Sequence, residues 1–134
     1  MAYSVPLSVV VSFYFKGPLS YVALAYVFLF IPLAESILPL KVEKHSADDI
    51  NKRTLNRVFD WLLYLNVPIV YIILSYGLYN LSTSALSTYE HIGLVFALGI
   101  LLATNAVNVA HELGHRKNKF EVLLTRLLLL PCLY

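Results

Sequence analysis

Charged side chains are scarce in this sequence, and their scarcity excludes an ordinary soluble fold. Of 134 residues, 13% are Asp, Glu, Lys or Arg and 59% are hydrophobic, whereas a soluble domain carries roughly 25% charged residues. The few charges are also clustered, since residues 41–60 hold nine of them and residues 111–126 hold six. The composition therefore predicts an integral membrane protein whose polar chemistry is confined to two short segments.

Three further absences narrow the class of protein. The single cysteine, Cys132, excludes an internal disulfide and any redox pair. The net charge of +2 comes without a long basic run, so we expect no nucleic-acid partner. The apolar N-terminus lacks the basic stretch that opens a secretory signal. We therefore expect it to be retained in the membrane, in contact with lipid.

Long apolar runs predict the membrane-spanning segments, because backbone polar groups in hydrocarbon must be paired within a helix. The first run is short, since its 14 residues give a helix of about 21 Å against a hydrocarbon core of about 30 Å. Four transmembrane helices are predicted in all, at about residues 2–15, 19–40, 58–80 and 91–110.

The distribution of positive charge predicts the orientation of these helices. Loop 41–57 carries five Lys and Arg residues, and Arg116, Lys117 and Lys119 follow the fourth span, whereas loop 81–90 carries none. Loops rich in Lys and Arg stay in the cytoplasm. Both charged segments are therefore predicted to be cytoplasmic, and the two spans between them are consistent with that.

The last stretch, residues 120–134, is too short and too polar near its middle to be a good span. It is either a fifth transmembrane helix cut short or a re-entrant or interfacial helix on the cytoplasmic side. We favour the second, because Glu121, Thr125 and Arg126 could share one polar face. The chain stops at Tyr134 inside an apolar run, so we expect a partial chain. The predicted fold is thus an all-α integral membrane protein with four transmembrane helices and a final short helix.

A candidate metal site lies in the pentapeptide His111-Glu112-Leu113-Gly114-His115. Four residues advance a helix by about 400°, so the two imidazoles point the same way, one turn apart. Two neutral imidazoles at this spacing can hold one metal ion, with the glutamate beside them.

Polar residues precede the pentapeptide on a helix that is otherwise apolar. Asn105 and Glu112 lie beside a stripe with i, i+4, i+7, i+11 spacing. The stripe consists of Thr104, Asn108, His111 and His115. Polar groups at membrane depth usually face a bundle interior or a cavity, so the stripe is predicted to lead to the site. The alternative is that the Thr and Asn residues only form hydrogen bonds between helices and that the histidines are simply residues at the membrane interface.

The pentapeptide itself is compatible with two metal chemistries. In a zinc protease, Glu112 would be the general base that activates a metal-bound water. In a membrane iron oxygenase, His111 and His115 would belong to a larger histidine cluster, because imidazole also suits iron. A third possibility is a non-catalytic bundle of membrane helices. These five residues alone leave the three open.

The surrounding sequence resembles one family. Residues 108–117 read Asn-Val-Ala-His-Glu-Leu-Gly-His-Arg-Lys and precede Phe120-Glu121 and a leucine-rich run to residues 131–134. This resembles the first histidine box of the membrane-bound alkane 1-monooxygenases, in the fatty acid desaturase/hydroxylase superfamily. Residues 31–35, Ile-Pro-Leu-Ala-Glu, and 59–68, Phe-Asp-Trp-Leu-Leu-Tyr-Leu-Asn-Val-Pro, are similar to segments of that family's second and third helices.

The resemblance implies a multi-pass diiron enzyme of the bacterial inner membrane, with residues 1–134 as the N-terminal part of a single domain. Such an enzyme hydroxylates the terminal carbon of alkanes with O₂ and electrons from a rubredoxin. Only His111 and His115 match iron ligands of the family, whose later histidine boxes are expected beyond Tyr134. Because two histidines cannot hold two irons, we expect the chain alone to be inactive.

Glu35 is a secondary candidate, since it lies inside the second predicted span, where an ionisable group is often functional. It is only five residues from the predicted end at residue 40. We therefore favour a solvated or structural role over a role near the metal site or in helix pairing.

Overall fold

The computed structural model of the chain describes residues 3–37, 57–115 and 118–133, and the regular structure in these ranges is entirely helical. We number its helices in chain order. They are α1 (Ser4–Phe15), α2 (Gly17–Ile37), α3 (Arg57–Thr83), α4 (Thr88–Gly114) and α5 (Lys119–Leu129), the last followed by a 3₁₀ turn (Leu130–Cys132).

Two of these helices contain segments that depart from regular α-helical geometry. Helix α2 opens with a 3₁₀ segment, Gly17–Tyr21, and contains a π-helical segment, Tyr26–Phe30. Helix α4 contains a second π-helical segment at Leu102–Val107, just before the segment Asn108–Gly114 that carries the histidine motif. Single π turns absorb an extra residue into a helix and often lie at functional sites.

Among the described residues, three helices are long and apolar enough to cross a membrane, which supports the prediction of a helical membrane protein. These segments are Gly17–Ile37, Asp60–Thr83 and Thr88–Gly114, with mean hydropathies of 1.8, 1.7 and 2.0. Helix α1 has only 12 residues, about 18 Å, which is short of a core of about 30 Å.

Most of the charged loop 41–57 and the pair Arg116-Lys117 lie outside the described residues, so the orientation of the helices in the membrane stays a prediction.

Hydrogen bonds at the two ends of the bundle show that α1 to α4 alternate in direction. At one end the Tyr3 hydroxyl donates to the Leu62 carbonyl, near the start of α3, at 2.5 Å. At the other end Lys16 Nζ donates to Ser84 Oγ at 3.1 Å, joining the α1–α2 turn to the loop after α3. We call the first the histidine end, because α4 finishes there with its motif, and the second the Glu90 end.

Glu90 ties the α1–α2 turn to the start of α4. Its Oε1 accepts from the Gly17 N–H at 2.8 Å, and its Oε2 accepts from the Ser87 N–H at 2.8 Å. The Ser87 side chain in turn accepts from the Glu90 N–H, which completes a capping box. One carboxylate thus satisfies donors that a helix start would leave unpaired and joins two connections of the bundle.

The buried side chains form two clusters along the bundle. One joins α1, α2, α3 and α4 and includes Phe13, Ile73, Leu94 and Leu101. The other joins α3, α4 and α5 beside the histidine motif. Its members are Val67, Val70, Ala106, Val109, Ala110, Leu113, Leu124 and Leu128.

Helix α5 returns from the histidine end into the bundle, alongside α3. The Tyr64 hydroxyl donates to Glu121 Oε1 at 2.7 Å, and two turns further along α3 the Tyr71 hydroxyl donates to the Leu127 carbonyl at 2.6 Å. Because the later residue of α3 contacts the later residue of α5, the two helices run parallel. Its final 3₁₀ turn packs against the π segment of α4.

Candidate metal centre

His111, in the last turn of α4, and His115, directly after it, face one cavity. The cavity has a volume of about 270 Å³ and opens beside the contact between α4 and α5. Both histidines are exposed, whereas the neighbouring Leu113 is fully buried. We call this space the histidine cavity. It is lined by Val107, Ala110, His111, Gly114, His115, Thr125 and Leu129.

Apart from the imidazoles, the walls of the histidine cavity are mainly hydrocarbon. The hydroxyl of Thr125 donates to the Glu121 carbonyl one turn earlier, at 2.9 Å, so it is engaged within α5. Gly114 faces Thr125 of α5 across the cavity, and a Cβ at this residue would lie 3.6 Å from Thr125 Cγ2, in ordinary contact. The arrangement offers two nitrogen ligands next to an apolar space.

The predicted polar stripe is divided between two cavities. Thr104, Asn105, Asn108 and Glu112 line a second cavity, also of about 270 Å³, together with Val5 of α1, Leu63 of α3 and Val109. His111 and His115 line the first. The structure thus brings the two histidines together but separates them from the polar residues before them and from Glu112.

The π segment of α4 explains why Thr104 and His111 face different cavities. In a regular α-helix seven residues make almost two full turns, so Thr104 and His111 would share a face. A π turn absorbs one extra residue, and everything after it is rotated by about 100° relative to a regular helix. The π segment Leu102–Val107 contains Thr104 and Asn105 and ends before Asn108 and the motif, so the histidines turn away from the face of Thr104.

Asn105 is held by hydrogen bonds inside the bundle. Its Nδ2 donates to Asn66 Oδ1 of α3 at 3.1 Å, and Asn66 Nδ2 donates to the Asn105 carbonyl at 3.3 Å. Thr104 Oγ1 lies 3.2 Å from Asn105 Oδ1 and also donates to the Ile100 carbonyl at 2.6 Å. For Asn105 the structure therefore supports interhelical hydrogen bonding. Sequence reasoning missed Asn66, although an amide inside an apolar run is a visible signal.

Glu121 is buried rather than part of an exposed polar face. It is 5% exposed and accepts the Tyr64 hydroxyl, while Arg126, one turn and a residue later, is exposed. The face predicted for α5 is therefore split between its inner and outer sides. Glu121 fixes the start of α5 against α3, next to the histidine cavity.

The two histidines supply part of a ligand set. Neutral imidazole nitrogens one turn apart suit iron or zinc. Across the part of the chain that the structure describes, no group of three or more His, Cys, Asp or Glu side chains is arranged to hold a metal ion. Glu35 is exposed and lines neither cavity.

Comparison with known proteins points to one kind of enzyme. No family model matches the chain. Over 99 residues, 74% of this chain, it is 31% identical to an alkane 1-monooxygenase of Alcanivorax borkumensis and 28% identical to one of Pseudomonas putida, covering 24% of each. It is 26% identical over 106 residues, 79% of this chain, to the alkane 1-monooxygenase of Acinetobacter baylyi, covering 26% of it.

The chain therefore spans about a quarter of the length of the curated relatives it matches. The similarities extend over about three quarters of the chain and support a distant relationship to the alkane 1-monooxygenases.

Proposed function

We propose that this chain is part of a membrane-bound alkane 1-monooxygenase that hydroxylates the terminal carbon of alkanes with O₂. The observation that carries the proposal is the pair His111 and His115, one turn apart at the end of a spanning helix and facing one cavity with hydrocarbon walls. The names of the relatives agree with this chemistry.

In this proposal His111 and His115 are two ligands of a non-haem diiron centre. Two irons, when bound, supply the activation of O₂. Two imidazoles cannot fill the coordination of two irons, so the centre needs ligands beyond the residues described here. The electrons come from a rubredoxin, a partner proposed from the resemblance to the family.

The residues of this chain hold and shield the reacting groups. The last turn of α4 keeps both imidazoles directed into the histidine cavity. Val107, Ala110 and Leu129 offer hydrocarbon surface to the end of an alkyl chain and limit the access of water.

We further propose four spans, with α1 as a short one, and α5 as a re-entrant helix on the cytoplasmic side of a bacterial inner membrane. Helix α5 has 11 residues, about 16 Å, or roughly half of the hydrocarbon core. Leu133, just after its 3₁₀ turn, has a left-handed conformation with φ of 56°, which cannot continue a helix.

The zinc protease and the non-catalytic bundle are less well supported alternatives. A protease needs Glu112 beside the metal-bound water, but Glu112 lines the second cavity, with Val5 and Leu63. A purely structural bundle has no need for two imidazoles facing one cavity at the end of a span.

The proposal is tested by replacing single histidines in the complete protein, expressed in cells that are fed an alkane. His111→Ala should abolish production of the terminal alcohol and lower the iron content. His91→Ala is the matched control, since His91 is exposed at the opposite end of the same helix, about 30 Å from His111. Full activity in His111→Ala, or stoichiometric zinc in place of iron, would overturn the proposal.

A further inference from the structure

The π segment of α4 decides where the histidines point. Val107, at its end, is followed directly by the regular segment Asn108–Gly114. If the π segment relaxed to a regular α-helix, that segment would rotate by about 100° and carry the imidazoles away from α5. The direction of the ligands thus depends on an irregular turn that needs support.

That support comes from two amides of different helices. Asn66 and Asn105 are 2% and 3% exposed, and two hydrogen bonds join them, one of which ends on the backbone carbonyl of Asn105 within the π segment. Where water is absent, breaking such bonds is unfavourable because the buried polar groups lose their partners.

We propose that Asn66 and Asn105 form a positioning clamp, which holds the π segment in place and so directs His111 and His115 into the histidine cavity. Neither asparagine lines that cavity, so both act through the helix backbone. The importance of the clamp for metal binding rests on the proposed function. Its effect on the direction of the histidines depends only on the contacts between α3 and α4.

The rotation of the motif can be measured without metal, by forming a disulfide across the histidine cavity. A Cβ at Gly114 would lie 3.6 Å from Thr125 Cγ2, so side chains at these two positions are in contact, which makes them a suitable pair for two cysteines. The parent for the test is the full chain in membranes with Gly114→Cys, Thr125→Cys and Cys132→Ala. It should cross-link readily under mild oxidation.

Adding Asn66→Leu should slow this cross-linking about tenfold, because loss of the clamp lets the motif rotate. Ser12→Ala is the control for a general loss of stability. Ser12 is also fully buried, and its hydroxyl accepts from the Ala23 N–H at 3.1 Å, between α1 and α2. Ser12→Ala should leave the rate unchanged.

A deletion separates positioning from simple stabilisation. Removing Ala103, an exposed residue of the π segment, takes out one residue and should leave a regular helix with the motif in its present direction. In that background Asn66→Leu should no longer slow the cross-link.

The clamp is refuted if Asn66→Leu cross-links as fast as the parent, if Ser12→Ala slows the reaction equally, or if deletion of Ala103 gives no rescue. Should Asn66→Leu not fold, Asn66→Ala serves instead. It removes both the acceptor for Asn105 Nδ2 and the donor to the Asn105 carbonyl without adding apolar bulk, and it should slow the cross-link likewise. Because no metal takes part, these results are independent of alkane oxidation and iron content, on which the proposed function depends.

Discussion

Two tyrosines of α3 hold α5 by hydrogen bonds of different kinds. Tyr64 donates to the side chain of Glu121, which is 5% exposed, and its ring packs edge-on against Phe120 at 5.6 Å. Tyr71 donates to the backbone carbonyl of Leu127 in a more exposed setting. When a buried carboxylate loses a donor, water cannot readily replace the lost hydrogen bond. An exposed carbonyl can accept a hydrogen bond from solvent instead.

Tyr64→Phe should therefore loosen α5 more than Tyr71→Phe does. The first change should cost about 1–3 kcal/mol and the second about 0.5–1.5 kcal/mol, although both keep the aromatic ring. Hydrogen exchange of the amides in Lys119–Leu129, followed by mass spectrometry, measures the effect locally. Equal acceleration of exchange in the two variants would contradict a special role for Glu121.

At the scale of single residues, the sequence predicted what depends on local geometry alone. The shared direction of His111 and His115 follows from their spacing in one regular turn, and the structure places both on one cavity. The inward position of Glu121 was not predictable from its own helix. It depends on Tyr64, which is 57 residues away in the chain.

At the scale of helices, close approach between α2 and α4 depends on a missing side chain. A Cβ at Gly93 would lie 2.8 Å from Tyr21 Cε2 and 3.0 Å from Ser20 Cβ. The Tyr21 ring has little freedom to yield, because it packs against Tyr89 at 4.7 Å and its hydroxyl donates to the Tyr89 carbonyl at 3.1 Å. Small residues allow such contacts between membrane helices.

Gly93→Ala should therefore destabilise the bundle, by about 1–3 kcal/mol for an overpacked contact. Gly99→Ala is a matched control on the same helix, since a Cβ at Gly99 meets nothing within 4 Å. Alanine is the better helix former, so the control should be neutral or gain about 0.5–1 kcal/mol. Thermal unfolding in detergent, monitored by circular dichroism, gives the melting temperatures of the two variants. A lower melting temperature for Gly99→Ala than for Gly93→Ala would refute the close contact.

The arrangement of polar residues along α4 shows where helix-scale prediction fails. A regular period of 3.6 residues places Thr104, Asn108 and His111 on one face. The π segment Leu102–Val107 breaks that period, and the break is held by Asn66 of another helix. Apolar length and composition predicted the three helices that are long enough to cross a membrane, because these properties depend on sums over many residues. The direction of the site depended on one extra residue in one turn.

At the scale of the whole molecule, the bundle has two chemically different ends. The Glu90 end carries Lys16 and the Glu90 carboxylate, which hold two connections together. The histidine end carries the exposed imidazoles and the start of α5. The three basic residues that follow α4 in the sequence, Arg116, Lys117 and Lys119, favour the cytoplasm for this end.

The two ends should accordingly lie on opposite sides of the membrane. In a Cys132→Ala background, Ala85→Cys places a thiol in the loop between α3 and α4, and Asn118→Cys places one just before α5 while keeping every Lys and Arg. A membrane-impermeant maleimide should label the first thiol in intact bacterial spheroplasts and the second only after lysis. Labelling of both from outside would mean that α4 does not cross the membrane. The reverse pattern would put the histidines outside, where a cytoplasmic rubredoxin could not reach them, so this experiment tests the topology and the proposed electron donor together.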